Sequence, residues 1–267
     1  MISPEKIWSS DQLPTLPAVA VKLLDLSKNP DTDIKEVIDT IKADPAITAK
    51  ILKASNSSFF GLRSECKGIE RAVPLLGTMV VTSLALSFSL SESAITQGPL
   101  KSRFDAYWKQ SIIQSAAAEL LAAKSGNDLK YDSFLLGLLQ DIGHLAMLRS
   151  IPTDLLSVLE QAETEQRESV EVESAELGIN HAEVGVKMME RWQLSEQFQT
   201  AIQHHHDSVA QLKTLESHPD FNLITIIATS AAIGDYFCSV NSGLALQKLQ
   251  DLTSEFYNMP HDDLHGF

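Results

Sequence analysis

An all-α fold is predicted by three features of the chain. Apolar residues recur at three- and four-residue spacing, period-two alternation does not persist through the first hundred residues, and pairs such as Asp44-Pro45 mark helix starts. At 267 residues and 44% hydrophobic content, the chain is long enough for one large domain or two intimate lobes.

The first helix is carried by Leu16, Val19, Ala20, Leu23 and Leu24, with Pro14 and Pro17 shaping its lead-in and Asn29-Pro30 ending it. Asp33 and Glu36, in capping-box spacing, open a second helix with an apolar stripe of Ile34, Val37, Ile38 and Ile41. Asp44 as N-cap and Pro45 as first helical residue begin a third, which buries Ile47, Ile51 and Leu52 and runs on to a turn at Gly61. Ile69, Ala72, Val73 and Leu76 give a short helix that Gly77 breaks, and Thr78 can cap the apolar run Met79 to Leu90. That run is broken by Thr82, Ser83, Ser87 and Ser89 and is shorter than the roughly 20 residues a bilayer needs. It reads as a buried helix.

The formal charge of −14 and pI near 4.9 set up a negative field that repels nucleic-acid phosphates and anionic lipid. Neither nucleic acid nor membrane is expected as a direct partner. Cys66 and Cys238 form no CxxC motif and read as free thiols in a reducing cytoplasm. No signal peptide is expected, because Met1 to Asp11 lacks a basic region followed by an apolar core.

Several motifs in this first stretch occur in a telling order. Leu13-Pro14-Thr15-Leu16-Pro17-Ala18-Val19, Asp44-Pro45-Ala46-Ile47, Asn56-Ser57, Phe59-Phe60-Gly61 and Ala72-Val73-Pro74-Leu75-Leu76-Gly77 together resemble the bacterial HDOD family, the HD-related output domains. The resemblance implies an all-helical fold, a role in signal transduction and descent from HD-type metal phosphohydrolases. It suggests an N-terminal lobe over 1–98, a degenerate HD-type helical lobe over 99–258 after Gln97-Gly98-Pro99, and a frayed tail over 259–267.

In the second lobe a long helix begins near Leu100, with Phe104, Trp108, Ile112, Ser115 and Ala116 facing inward. Gly126-Asn127-Asp128 then makes a turn. Phe134, Leu135, Leu138, Leu139, Ile142 and Leu145 build a single helix that carries Gln140, Asp141 and His144. An aspartate beside a histidine on such a helix can hold a divalent metal, but the position before Asp141 is Gln140, and a neutral amide is a weak ligand. Asp141 reads as a hydrogen-bonded buried carboxylate, His144 as an exposed or packing residue. Thr153 can cap the next helix, and Glu160 to Glu168 reads as a solvated helix end and connector. Asn180 and Glu183 form a capping box that places His181 in a first helical turn, and Ser195 caps the helix ending in His204-His205-His206. Neighbouring helical residues diverge by about 100 degrees, so a regular helix cannot converge all three imidazoles on one ion. Residues 243–257 form a final amphipathic helix.

The resemblance extends to these positions. It places Gln110 where the first metal histidine of HD enzymes stands, Gln140-Asp141 at the paired His-Asp, His181, His205 and His206 at later ligands, and Asp235 at the final aspartate. His204 is an extra residue. Two glutamines thus occupy histidine positions. The favoured reading is a non-catalytic regulatory module, working through a signalling protein partner or small ligand, with no cofactor. The alternative is a phosphohydrolase that uses Fe, Mn or Zn, held by Asp141, His181, His205, His206 and Asp235, to act on a cyclic dinucleotide or related nucleotide. A third reading, a sensor that binds a nucleotide without turning it over, lacks a glycine-rich phosphate loop or basic cluster.

Overall fold

Helix starts follow the capping signals. In the computed structural model Asp44 lies in extended backbone and accepts hydrogen bonds from the Ala46 and Ile47 amides at 3.0 Å, and Pro45 is the first helical residue. Asp33 caps the preceding helix through the Lys35 amide. The structure describes residues 5–8, 13, 18–27, 29, 32–56, 66–90, 99–125, 129–240 and 242–259. Every regular element among them is helical. The expectations at Pro14, Pro17, Pro30, Gly61, Gln97-Gly98, Gly126-Asn127-Asp128 and the tail from Pro260 lie outside the described residues.

The chain divides into two compact units, Pro14–Ala94 and a larger one made of Met1–Leu13 with Ile95–Phe267. Helix α1 (Glu5–Trp8) belongs to the larger unit. The smaller unit comprises α2 (Ala18–Ser27), α3 (Ile34–Lys42), α4 (Pro45–Ser55), α5 (Ile69–Leu76) and α6 (Thr78–Leu90). Leu23, Val37, Ile41, Ile47, Ile51, Val73 and Val81 meet in its core. Ile34, on the predicted stripe, stays 45% exposed because the buried face of α3 centres on Val37 and Ile41. Asn56 pins the end of α4 to the next segment, its amide donating to the Cys66 carbonyl at 2.9 Å and accepting from the Cys66 N–H at 2.7 Å.

The larger unit holds α7 (Pro99–Lys124), α8 (Lys130–Leu139), α9 (Ile142–Ser150), α10 (Pro152–Glu165), α11 (Ser169–Leu177), α12 (His181–Arg191), α13 (Glu196–Gln203), α14 (Val209–Lys213), α15 (Phe221–Cys238) and α16 (Ser242–Tyr257). Helix α7 packs on α8 and α15, α12 packs on α9 and α13, and α16 covers α15. Helix α15 is long and apolar enough to cross a membrane, yet Leu223 to Gly234 are all buried within this unit, as in a core helix.

Three expectations are corrected. The single helix through Gln140 and Asp141 is two helices, with Gln140 closing α8 and Asp141 preceding α9. Leu135, Leu136, Leu138, Leu139 and Ile142 are all buried, so apolar residues continue across the junction and their periodicity carries no break signal. The buried face of α7 runs through Phe104, Tyr107, Ser111, Gln114, Ser115, Ala118 and Leu121, while Trp108, Ile112 and Ala116 lie to its side. Polar residues on that face hid its register. Helix α10 begins at Pro152 after Ile151, which leaves Thr153 inside the first turn rather than at the cap.

Candidate metal centre

The break between α8 and α9 places Asp141 at the centre of the larger unit, 2% exposed. Gly143 then lets α9 touch the start of α12, because a Cβ there would lie 1.9 Å from the His181 carbonyl oxygen. The capping box of Asn180 and Glu183 sets His181 as the first residue of α12. Helix α13 stops at Gln203, and the three histidines after it form a turn. Leaving helical geometry brings the His205 and His206 rings within 4.1 Å, centroid to centroid. His204 turns aside to Asp207, Nδ1 to Oδ2 at 2.7 Å.

The two oxygens of Asp141 have different partners. Oδ2 accepts from Gln114 Nε2 at 2.8 Å and from Gln110 Nε2 at 3.3 Å. Oδ1 faces His205 Nε2 at 3.2 Å and His181 Nε2 at 3.5 Å. Gln110 also donates to Asp235 Oδ1 at 3.0 Å, so the amide in the predicted histidine position joins both aspartates. Gln140 is buried but leaves this cluster. Its Oε1 accepts from Ser230 Oγ at 3.3 Å. The structure therefore gathers Gln110, Asp141, His181, His205, His206 and Asp235, and directs the Gln140 side chain elsewhere.

His144, expected to be exposed or merely packing, lies within this network. Its ring stacks on His181 at 3.8 Å and its Nε2 meets Glu173 Oε1 at 2.7 Å. The other Glu173 oxygen accepts from His181 Nδ1 at 2.7 Å. Glu173, Gln114 and Lys248 were not anticipated from the sequence. A signal for Glu173 existed: it stands four residues before the buried Leu177, on the same side of an acidic helix. Lys248 donates to the His206 carbonyl at 2.7 Å and to Glu168, tying α16 to the histidine turn.

Burial raises the pKa of a carboxyl and lowers that of an imidazole. At Asp141 burial is outweighed by the hydrogen bond and charge of His205 and by His181 and His144, which hold it below the usual carboxylate range. Glu173 is likewise held low against burial, by His181 and His144. Asp235 goes the other way, pushed up to about 7 by burial and by the charge of Asp141. Burial, with His205 and His181 nearby, takes His206 well below the ordinary histidine value.

A cavity of about 200 Å³ opens beside the cluster and is lined by Asp141, His144, His206 and Asp235. Arg103, Arg167 and Lys248 line it too, with Leu148, Leu155 and Leu159 on an apolar wall. Each cation has a carboxylate partner, Arg103 with Glu163 at 2.5 Å, Arg167 with Glu165 at 3.1 Å and Lys248 with Glu168 at 2.9 Å. The segment Glu160 to Glu168, read from sequence as a solvated helix end and connector, does hold the end of α10, and its Ala162, Glu163, Arg167 and Glu168 also line the cavity.

The donor set suits a metal ion. The His205 Nδ1 lies 2.5 Å from the Ile202 carbonyl oxygen, which can only accept, so Nδ1 carries the proton. Its Nε2 then points at Asp141 Oδ1, an acceptor facing an acceptor unless a proton or a cation lies between. His181 repeats the arrangement, with Nδ1 toward Glu173 and Nε2 toward Asp141 and His206. Ligand atoms of Asp141, His181, His205 and His206 all lie within 4.8 Å of one another. Three imidazoles and one carboxylate are ligands suited to zinc, iron or manganese.

Comparisons with known proteins agree with this architecture. An uncharacterised protein of Treponema pallidum (strain Nichols) is 28% identical over 199 residues, 74% of this chain and 38% of that protein. The chain thus spans well under half the length of that relative. A crystal structure of an HDOD domain protein with unknown function from Geobacter sulfurreducens superposes with a TM-score of 0.71 at 25% identity, over 87% of this chain and 75% of that one. A Shewanella amazonensis SB2B protein, provisionally named a phosphohydrolase, shares the fold with a TM-score of 0.68 at 21% identity, over 94% of this chain and 87% of that one. The HDOD domain family matches residues 13–208, nearly three quarters of the sequence, and the chain belongs to that family.

Proposed function

We propose that this chain is a signal-transduction module whose larger unit binds one divalent metal ion and acts on a phosphoester. The carrying observation is the convergence of the His181 and His205 Nε2 atoms on Asp141 Oδ1, each with its Nδ1 committed to an acceptor. Asp141, His181, His205 and His206 would hold the ion. A metal bound there would supply Lewis acidity and lower the pKa of a bound water. The chain's own residues do the rest. Gln110 and Gln114 fix the Asp141 carboxylate through Oδ2, leaving Oδ1 for the imidazole side. Arg103, Arg167 and Lys248 line the cavity paired with Glu163, Glu165 and Glu168, and a phosphate there would have to exchange with those carboxylates, while Leu148, Leu155 and Leu159 form an apolar wall.

A second reading, a non-catalytic module that transmits a signal through a protein partner, is favoured by Gln110 and Gln140. The Gln110 amide occupies both aspartates, and Gln140 contributes no ligand atom to the cluster. Assay of the manganese-, iron- and zinc-loaded chain on phosphomonoesters and cyclic dinucleotides separates the two. Turnover that is lost in Asp141→Asn supports the hydrolytic reading. Stoichiometric metal with no turnover on either class supports the second.

A further inference from the structure

We infer that Glu173 is the positioning residue of this centre, holding the His181 ring so that Nε2, which faces Asp141 and His206, is its unprotonated ligand atom. The inference rests on the metal-binding reading above. Glu173 is 0% exposed and both of its oxygens are engaged. Oε2 takes the His181 Nδ1 at 2.7 Å and the His181 backbone N–H at 2.8 Å. Oε1 takes His144 Nε2 at 2.7 Å.

The backbone contact satisfies a donor at the N-terminus of α12 that no intrahelical carbonyl can reach, which anchors the residue as well as the ring. The stacking of His144 on His181, with ring planes 24° apart, covers one face of that ring. His181 is thereby fixed at its edge, at its face and at its main chain. An acceptor at Nδ1 selects the tautomer protonated there, and only that tautomer leaves a lone pair on Nε2 for a metal. Without it the Nε2–H form becomes available, and that form offers the ion nothing.

The test combines nitrogen-15 NMR of the metal-free chain with zinc and manganese titration. Wild type is expected to show His181 protonated at Nδ1. Glu173→Gln, whose amide offers one acceptor to three donors, is expected to populate the other tautomer and to bind metal about ten- to a hundredfold more weakly. A wild-type His181 protonated at Nε2 overturns the inference, as does a folded Glu173→Gln with unchanged metal affinity. The wild-type spectrum decides the matter even where the variant does not fold. A wild-type chain that binds neither metal defeats the metal-binding reading instead, because the tautomer is read without any ion.

Discussion

The Nε2 of His205 stands 3.2 Å from Oδ1 of Asp141, with the Nδ1 of the same ring committed to the Ile202 carbonyl. Asp141 is the acceptor on which two glutamine amides and two imidazoles converge. Asp141→Asn keeps the shape and removes the charge, and places an amide where four donors or lone pairs expect a carboxylate. Unfolding in urea is expected to show a loss of about 2–4 kcal/mol, as for breaking a buried charged network.

Acidity acts on the carboxylates in two opposite directions. Asp141 and Glu173 are held below the carboxylate range, so their contribution is present above the unfolded value near 4 and is lost as pH falls beneath it. Asp235, raised to about 7, works the other way: it withdraws stability as pH climbs from about 4 to 7, because the unfolded chain ionises first. Asp235→Asn mimics the protonated form and keeps an acceptor for Gln110. In metal-free protein it is expected to stabilise by about 1–2 kcal/mol at pH 8, allowing for partial solvent screening, and by nothing near pH 4. Denaturant curves at the two pH values read the difference directly.

Two glycines give opposite expectations. Gly143→Ala drives a methyl into the His181 backbone, and its cost is expected to reach about 3 kcal/mol in stability with loss of metal binding. Gly243→Ala, in the first turn of α16 with open space around it, is expected to be neutral or to stabilise by about 0.5–1 kcal/mol. Thermal melts and metal titrations of both variants measure this.

The two glutamines that the family resemblance sets at histidine positions are also expected to differ. Gln110→His puts an imidazole between Asp141 and Asp235 and is expected to raise affinity for zinc or manganese. Gln140→His is expected to give no gain, because that side chain points to Ser230 and away from the cluster. Competition with a chelating dye ranks the variants against wild type.

Much of the fold was legible because its signals are local. Asp44-Pro45, the Asn180 capping box and the stripe of Val37 and Ile41 act within a turn or two of helix. The family motifs also led to Asp141, His181, His205 and His206, which converge in space. What stayed hidden depends on distant partners or on polar residues turned inward. Gln114 sits on the buried face of α7 among serines, where hydrophobic periodicity is silent. Glu173 lies in an acidic helix beside Glu171 and Glu176, where only the position of Leu177 marks its side. Arg103, Arg167 and Lys248 are separated by tens of residues and meet only through the packing around one cavity. The break at Gln140-Asp141 was invisible because the residues flanking it, Leu135 to Leu139 and Ile142 to Gly143, are all buried.

The most direct test of the central claim is the metal stoichiometry of the full chain, measured by elemental analysis after equilibration with manganese, iron or zinc. One ion per chain is expected, and a chain in which His181 and His205 are both replaced by glutamine should lose it while remaining folded by circular dichroism. A wild-type chain that takes up none of the three ions, or a double variant that retains its full equivalent, would contradict the account.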